Sequence, residues 1–132
     1  MDYLLDTHTF LWTVFEPKKL SESAHDCISN SENRIVVSAI TFWEISLKSA
    51  IGKLELIDCS PDDLPRVAKQ MGLKLLPLEA DIAAGFHRLP PQPHKDPFDR
   101  MLIWLAIRKH LVLITKDKAF DAYAGYGLQT IW

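Results

Sequence analysis

Short apolar runs and helical periods alternate along the whole chain. Residues 2–6 (DYLLD) read as a buried strand ending at Asp6, and residues 7–15 as a helix halted before Pro17. Ser21 caps a polar helix running to about Asn30. The β-branched run at 34–38 (RIVVS), bounded by polar clusters, predicts a second strand. Thr41 opens a helix through about Ile51, closed by Gly52. Ser60, Pro61 and the two aspartates after them are an N-cap, a first-position proline and an acidic first turn, so a helix runs from 61 to about 71, where Gly72 ends it. Residues 73–78 predict a third strand and 79–88 a further helix. A stiff proline-rich loop at 90–97 (PPQPHKDP) ends where Asp96 and Pro97 start a helix to His110. A fourth strand at 111–115, a short helix at 118–123 and a last strand at 128–131 complete the order.

This alternation predicts one α/β domain over residues 1–132, with a mostly parallel sheet of about five strands. The functional crevice of such a sheet lies beyond the carboxyl ends of its strands. The chain's 132 residues are 48% hydrophobic and 24% charged, which excludes disorder, collagen-like repeats and coiled coil. A formal net charge of −2 argues against a surface that is basic throughout, and leaves room for a local nucleic-acid site. Cys27 and Cys59 form no CxxC pair, so reduced thiols in a cytoplasmic protein are expected. The N-terminal stretch lacks a basic leader, and no apolar run is long enough to span a membrane.

Five carboxylates fall where that crevice should be. Asp6 ends the first strand and Asp117 follows the fourth; Glu44 is expected in the first turn of the helix after the second strand; Asp96 and Asp99 flank the start of the helix that leads into the fourth. Each has an ordinary explanation: Asp96 as an N-cap, Asp99 facing a helix dipole, Glu44 in a Thr41 capping box or paired with Lys48, Asp6 and Asp117 in strand-end turns. Two stripes favour a shared site, because Asp99 lies in register with Ile103 and Ala106, and Glu44 with Leu47 and Ile51, so both acids should face inward. Clustered carboxylates at an apolar edge repel unless a cation sits among them. Oxygen ligands without a Cys/His set suit Mg²⁺ or Mn²⁺ rather than zinc, and such clusters suit phosphodiester hydrolysis.

LLDTH at 4–8, WEIS at 43–46, HKDPFDRMLIWLA at 94–106 and LITKDKAFDAYAG at 113–125 together resemble the PIN-domain proteins of the VapC toxin type. The resemblance covers the chain in order and is most specific at DPFDR followed by strand-TKD. It implies a three-layer α/β/α fold and a Mg²⁺- or Mn²⁺-dependent endoribonuclease. It also implies inhibition by a small cognate antitoxin of the VapB type, and a homodimer. Mapped by motif, Asp6, Glu44, Asp99 and Asp117 correspond to the family's acidic quartet, Asp96 to an additional acid, and Thr115 to a hydroxyl position that supports a carboxylate or metal-bound water.

Arg100, Lys116 and His94 are candidates for substrate phosphate or support of the site, each against a plain surface role. His8, which could approach the site from beside Asp6, reads as a helix first-turn residue, and His25, His87 and His110 read as surface residues; none has metal spacing. Trp12, Trp43, Trp104 and Trp132 could stack bases, with core or subunit packing the favoured role. The competing readings are a PIN-like module that binds RNA or protein without cleavage, and a haloacid-dehalogenase-type phosphatase. The second would need DxD where this chain has His8.

Overall fold

The computed structural model describes residues 1–91 and 96–132. Five strands, β1 (Asp2–Leu5), β2 (Arg34–Ser38), β3 (Lys74–Leu76), β4 (Val112–Ile114) and β5 (Gln129–Ile131), form one sheet in the order β3-β2-β1-β4-β5. Every pairing is parallel, with Leu4 opposite Val36 on one side and Leu113 on the other. Chain order runs outward from β1 to β3, then restarts at β4 on the opposite side. The reversal therefore falls between β1 and β4.

Side-chain alternation along the strands builds two cores. Leu4, Val36 and Leu113 point to one face, where they meet α6 (Pro97–Lys109), with α5 (Ala80–Gly85) packed outside through Ile82. Leu5, Ile35, Val37 and Ile114 point to the other face, against α1 (Thr7–Phe15), α2 (Glu22–Ser29) and α4 (Leu64–Gln70). The helix α3 (Ala39–Ala50) serves both cores, through Ile40 and Ile45 respectively. Helices thus cover both faces of the sheet in a three-layer α/β/α arrangement. Strands with both faces covered read as continuous apolar runs, as the central ones do at Leu4–Leu5, Ile35–Val37 and Val112–Ile114.

Local chemistry sets the boundaries. Ser21 accepts a hydrogen bond from Ala24 N at the start of α2. Ser60 and Asp63 form a reciprocal capping box at a 3-10 turn, Pro61–Asp63, that leads into α4. The region expected as one helix at 79–88 is α5 plus a 3-10 turn at Phe86–Arg88, and the segment after β4 is a 3-10 helix, Lys118–Tyr126. His110 closes α6 in the left-handed conformation, with φ 56°.

The start of α3 corrects the sequence expectation. Ser38, the last residue of β2, is the cap, its Oγ accepting from Ile40 N, so the helix begins at Ala39 rather than Thr41. Thr41 is a buried interior residue, and Glu44 lies in the second turn. The inward stripe also shifts: Ile40, Thr41, Glu44 and Ile45 are buried, whereas Leu47 and Ile51 are 38% and 57% exposed. A helix that enters directly from a strand is rotated by its cap, and two residues of error turn the helix by more than half a turn.

Candidate active site at the carboxyl edge of the sheet

The edge formed by the carboxyl ends of β1, β2 and β4 is a buried polar layer. Asp6, Thr7, Thr9, Ser38, Thr41, Glu44 and Thr115 are all buried there, and among the described residues no buried side-chain nitrogen or oxygen lacks a partner. Such a layer is stable only when each group is satisfied.

Asp6 sits where β1 becomes α1. Its Oδ1 accepts from Thr9 N at 2.7 Å as the helix cap, while its Oδ2 accepts from Thr115 Oγ1 at 2.5 Å. Burial pushes its carboxyl above the usual range, against the opposing pull of those hydrogen bonds and of nearby His8. Thr115 also accepts from Asp117 N at 3.1 Å, so one hydroxyl joins the two acids that end the neighbouring strands β1 and β4. Asp117 is exposed and caps the 3-10 helix through Ala119 N. Asp6, His8, Trp12, Lys116 and Asp117 line a cleft of about 300 Å³ at this point. It lies at the reversal of strand order, the position where open α/β sheets bind ligands.

The second half of the layer lies on the β2 side. Thr7 Oγ1 donates to Glu44 Oε1 at 2.7 Å and lies 3.2 Å from Thr41 Oγ1. The other oxygen of Glu44 meets Lys48 Nζ at 2.5 Å, one helical turn on. Burial lowers the Lys48 pKa, but the bond to Glu44 and the charges of Glu44, Asp96 and Asp99 outweigh it and hold the ammonium above its ordinary value. Asp96 caps α6 through Phe98 N and Asp99 N, and Asp99 is half-buried in the first turn of that helix. Glu44 pairs with the Lys48 ammonium, and the charges of Asp96 and Asp99 act on it. Adjacent residues Asp6 and Thr7 tie this half to the β1–β4 half.

Several of the ordinary roles are realised, although Ser38 rather than Thr41 caps α3 and Glu44 has no part in a capping box. Asp6, Asp96 and Asp117 are caps, Glu44 pairs with Lys48, and all of them belong to the same edge. Arg100, open between the site and a plain surface role, makes other contacts. Its guanidinium donates to the carbonyls of Leu89 and Pro90, approaches Tyr123 Oη and lies over the Phe86 ring. These contacts brace the approach to α6. Lys116 is exposed beside Asp117, and His94 lies outside the described residues. Two functional candidates escaped sequence reasoning. Thr7 joins the two halves, a role only tertiary contact reveals; Lys48 was visible as an i,i+4 partner of Glu44 but not as the ammonium near three acids.

Carboxylate and hydroxyl oxygens without thiol or imidazole partners match a hard divalent cation. Among the described residues no three His, Cys, Asp or Glu side chains lie close enough together to hold an ion as they stand. The donor chemistry fits.

These features define an α/β protein with carboxylates gathered at the switch point of a parallel sheet. The chain belongs to the PIN domain family, whose pattern matches residues 3–126. It is 26% identical over 129 residues to ribonuclease VapC22 of Mycobacterium tuberculosis, covering 98% of this chain and 97% of that protein. Among solved structures it resembles VapBC2 of Rickettsia felis bound to a promoter DNA fragment, with a TM-score of 0.71 at 17% identity over 100% of this chain and 99% of the other. It also resembles DNA-bound VapBC of Salmonella typhimurium, with a TM-score of 0.66 at 19% identity over 99% and 97%. No described helix is long and apolar enough to cross a membrane, and Cys27 and Cys59 are free thiols.

Proposed function

We propose that the chain is, over its whole length, a single PIN-type nuclease domain that cleaves RNA endonucleolytically with Mg²⁺ or Mn²⁺, as a cytoplasmic toxin held inactive by a small VapB-like antitoxin. The observation that carries this reading is the pair of acids, buried Asp6 and exposed Asp117, joined by Thr115 at the switch point, with Glu44 and Asp99 on the same edge. The similarity to VapC22 and to VapBC assemblies supports the ribonuclease activity, the antitoxin partner and a homodimer.

Asp6, Asp99, Asp117 and Glu44 would hold the cation, with Asp96 at its margin. When bound, the ion supplies an activated water and charge neutralisation at the scissile phosphate. Thr115 fixes the Asp6 carboxylate, and the Thr9 amide fixes its other oxygen, so this ligand is oriented before anything binds. Thr7 holds Glu44 in the same way. Lys116 is exposed in the lining of the cleft, where its ammonium would meet a phosphate of the RNA backbone. Products with a 3′-hydroxyl and a 5′-phosphate are expected.

Incubating the purified protein with RNA, with Mn²⁺ or Mg²⁺ against chelator and beside Asp6→Asn and Asp99→Asn, tests the reading. Cleavage should need the metal and fall at least a hundredfold in each variant. Cleavage that survives both substitutions would remove these residues from the site, and no cleavage of any RNA by the wild type would favour a binding module.

A further inference from the structure

Trp12 lines the switch-point cleft, and neither the cap network nor the metal chemistry uses it. It lies one turn beyond His8 on α1, so both rings project from the same face. The two centroids are 6.0 Å apart, and Trp132 from the far end of the chain lies 5.8 Å from Trp12 on another side. Lys116 Nζ lies 5.8 Å from the Trp12 ring centroid. His8 and Lys116 are exposed and Trp12 is half-buried, so this aromatic and cationic wall opens to solvent beside Asp6 and Asp117.

We propose that this wall is a nucleotide subsite, in which Trp12, flanked by His8, stacks the base next to the scissile phosphate and Lys116 takes up an adjoining phosphate. The inference rests on the ribonuclease reading and deepens it. An indole stacks on any base, because every base has a π-face, and a lysine nearby supplies the phosphate contact without reading sequence. At an exposed site the attraction of an ammonium for an aromatic ring is weaker than base stacking. An incoming base therefore takes the ring and frees Lys116, on its flexible stem, for the backbone. The alternative occupant is protein. His8 and Trp12 also border a larger apolar cleft of about 520 Å³ formed with Leu11, Phe15 and Leu54. What favours RNA at the Asp117 end is the cation beside the ring and the two acids in the same wall.

The test measures binding of a short labelled single-stranded RNA in chelator, where cleavage is off. It is compared with a set of the same RNA in which one base at a time is removed. Removing one particular base should weaken wild-type binding roughly tenfold. Trp12→Ala should lose a similar factor with intact RNA and nothing further with that abasic RNA, while Trp12→Phe keeps most of the affinity. In Mn²⁺ the Trp12→Ala loss should appear in KM rather than kcat. His8→Ala, at an exposed position, should show a smaller loss confined to the same base and serves if Trp12→Ala does not fold. Lys116→Gln should lower the salt slope of binding by about one.

Wild-type affinity in Trp12→Ala and His8→Ala, or losses that simply add to base removal, would overturn the subsite. Unchanged RNA binding with altered self-association in sedimentation would assign Trp12 to a protein contact, and so also overturn it. A wild type that cleaves RNA while Trp12→Ala binds it equally well removes only the subsite. A wild type that cleaves no RNA removes the reading beneath it.

Discussion

Asp6 joins strand, helix and site with one carboxylate. It caps α1, accepts from Thr115 and is 5% exposed. Because burial raises its folded pKa above the unfolded value near 3.8, the folded state favours the protonated acid. The group's contribution to stability is therefore greatest below that unfolded value and declines as pH rises through the folded one. Asp6→Asn keeps an oxygen for the Thr9 amide and removes the buried charge. Without metal it should melt a few degrees higher than the wild type at pH 7, with a weaker decline above pH 4; calorimetry across pH reads both. Equal melting points and parallel pH curves would show that burial of this carboxylate costs nothing.

Lys48 gives the opposite expectation. Lys48→Met leaves buried Glu44 without its ammonium, and should cost about 1–3 kcal/mol in the metal-free protein. Added Mn²⁺ should raise the melting temperature more in this variant than in the wild type, since a cation then replaces the ammonium. A smaller rise in the variant would mean that Lys48 helps to assemble the site rather than stand in for its ion.

At the scale of elements, the strand-to-helix junctions position the chemistry. Asp6 at β1–α1, Ser38 at β2–α3 and Asp117 after β4 are all caps, so one device that satisfies the orphan amides of a helix start also places polar atoms on one edge. Ser38→Ala should cost about 1 kcal/mol through the lost cap, seen as a lower melting temperature with the Mn²⁺ response retained. Loss of that response would make the α3 junction part of the site. On the same helix, Ile51→Gln should leave stability within about 0.5 kcal/mol, because the side chain is 57% exposed; a cost near that of a core truncation would contradict the observed rotation of α3.

These elements also show what sequence could convey. The strands, and the caps at Ser21, Ser60 and Asp96, were legible because their signals are local: β-branched runs, and hydroxyl or acid residues just before a helical period. The start of α3 was not. Ser38 belongs to a strand by propensity and to a helix by its side chain, and only the three-dimensional chain decides between them. The acids were legible as positions at strand ends and helix starts, whereas their division into a Thr115-linked pair and a group around Lys48 depends on contacts between residues up to 109 positions apart. Arg100 read as a candidate for phosphate or for the acids, against a plain surface role, because it follows Asp99. The helix turns adjacent residues about 100° apart, and that rotation sends its guanidinium to the Leu89 and Pro90 carbonyls.

For the whole molecule, the near-neutral charge is an average over unlike regions. Setting aside Asp6, Glu44, Asp96, Asp99 and Asp117 as one anionic edge leaves a surplus of basic residues elsewhere, a distribution that tolerates a polyanion around a cation-binding centre. A hard divalent cation on this edge would be seen by isothermal titration with Mn²⁺. The wild type should bind Mn²⁺ saturably, with Mg²⁺ competing, and Asp6→Asn and Asp99→Asn should each weaken binding at least tenfold. Wild-type protein that binds no Mn²⁺, or variants that bind as the wild type does, would contradict the account.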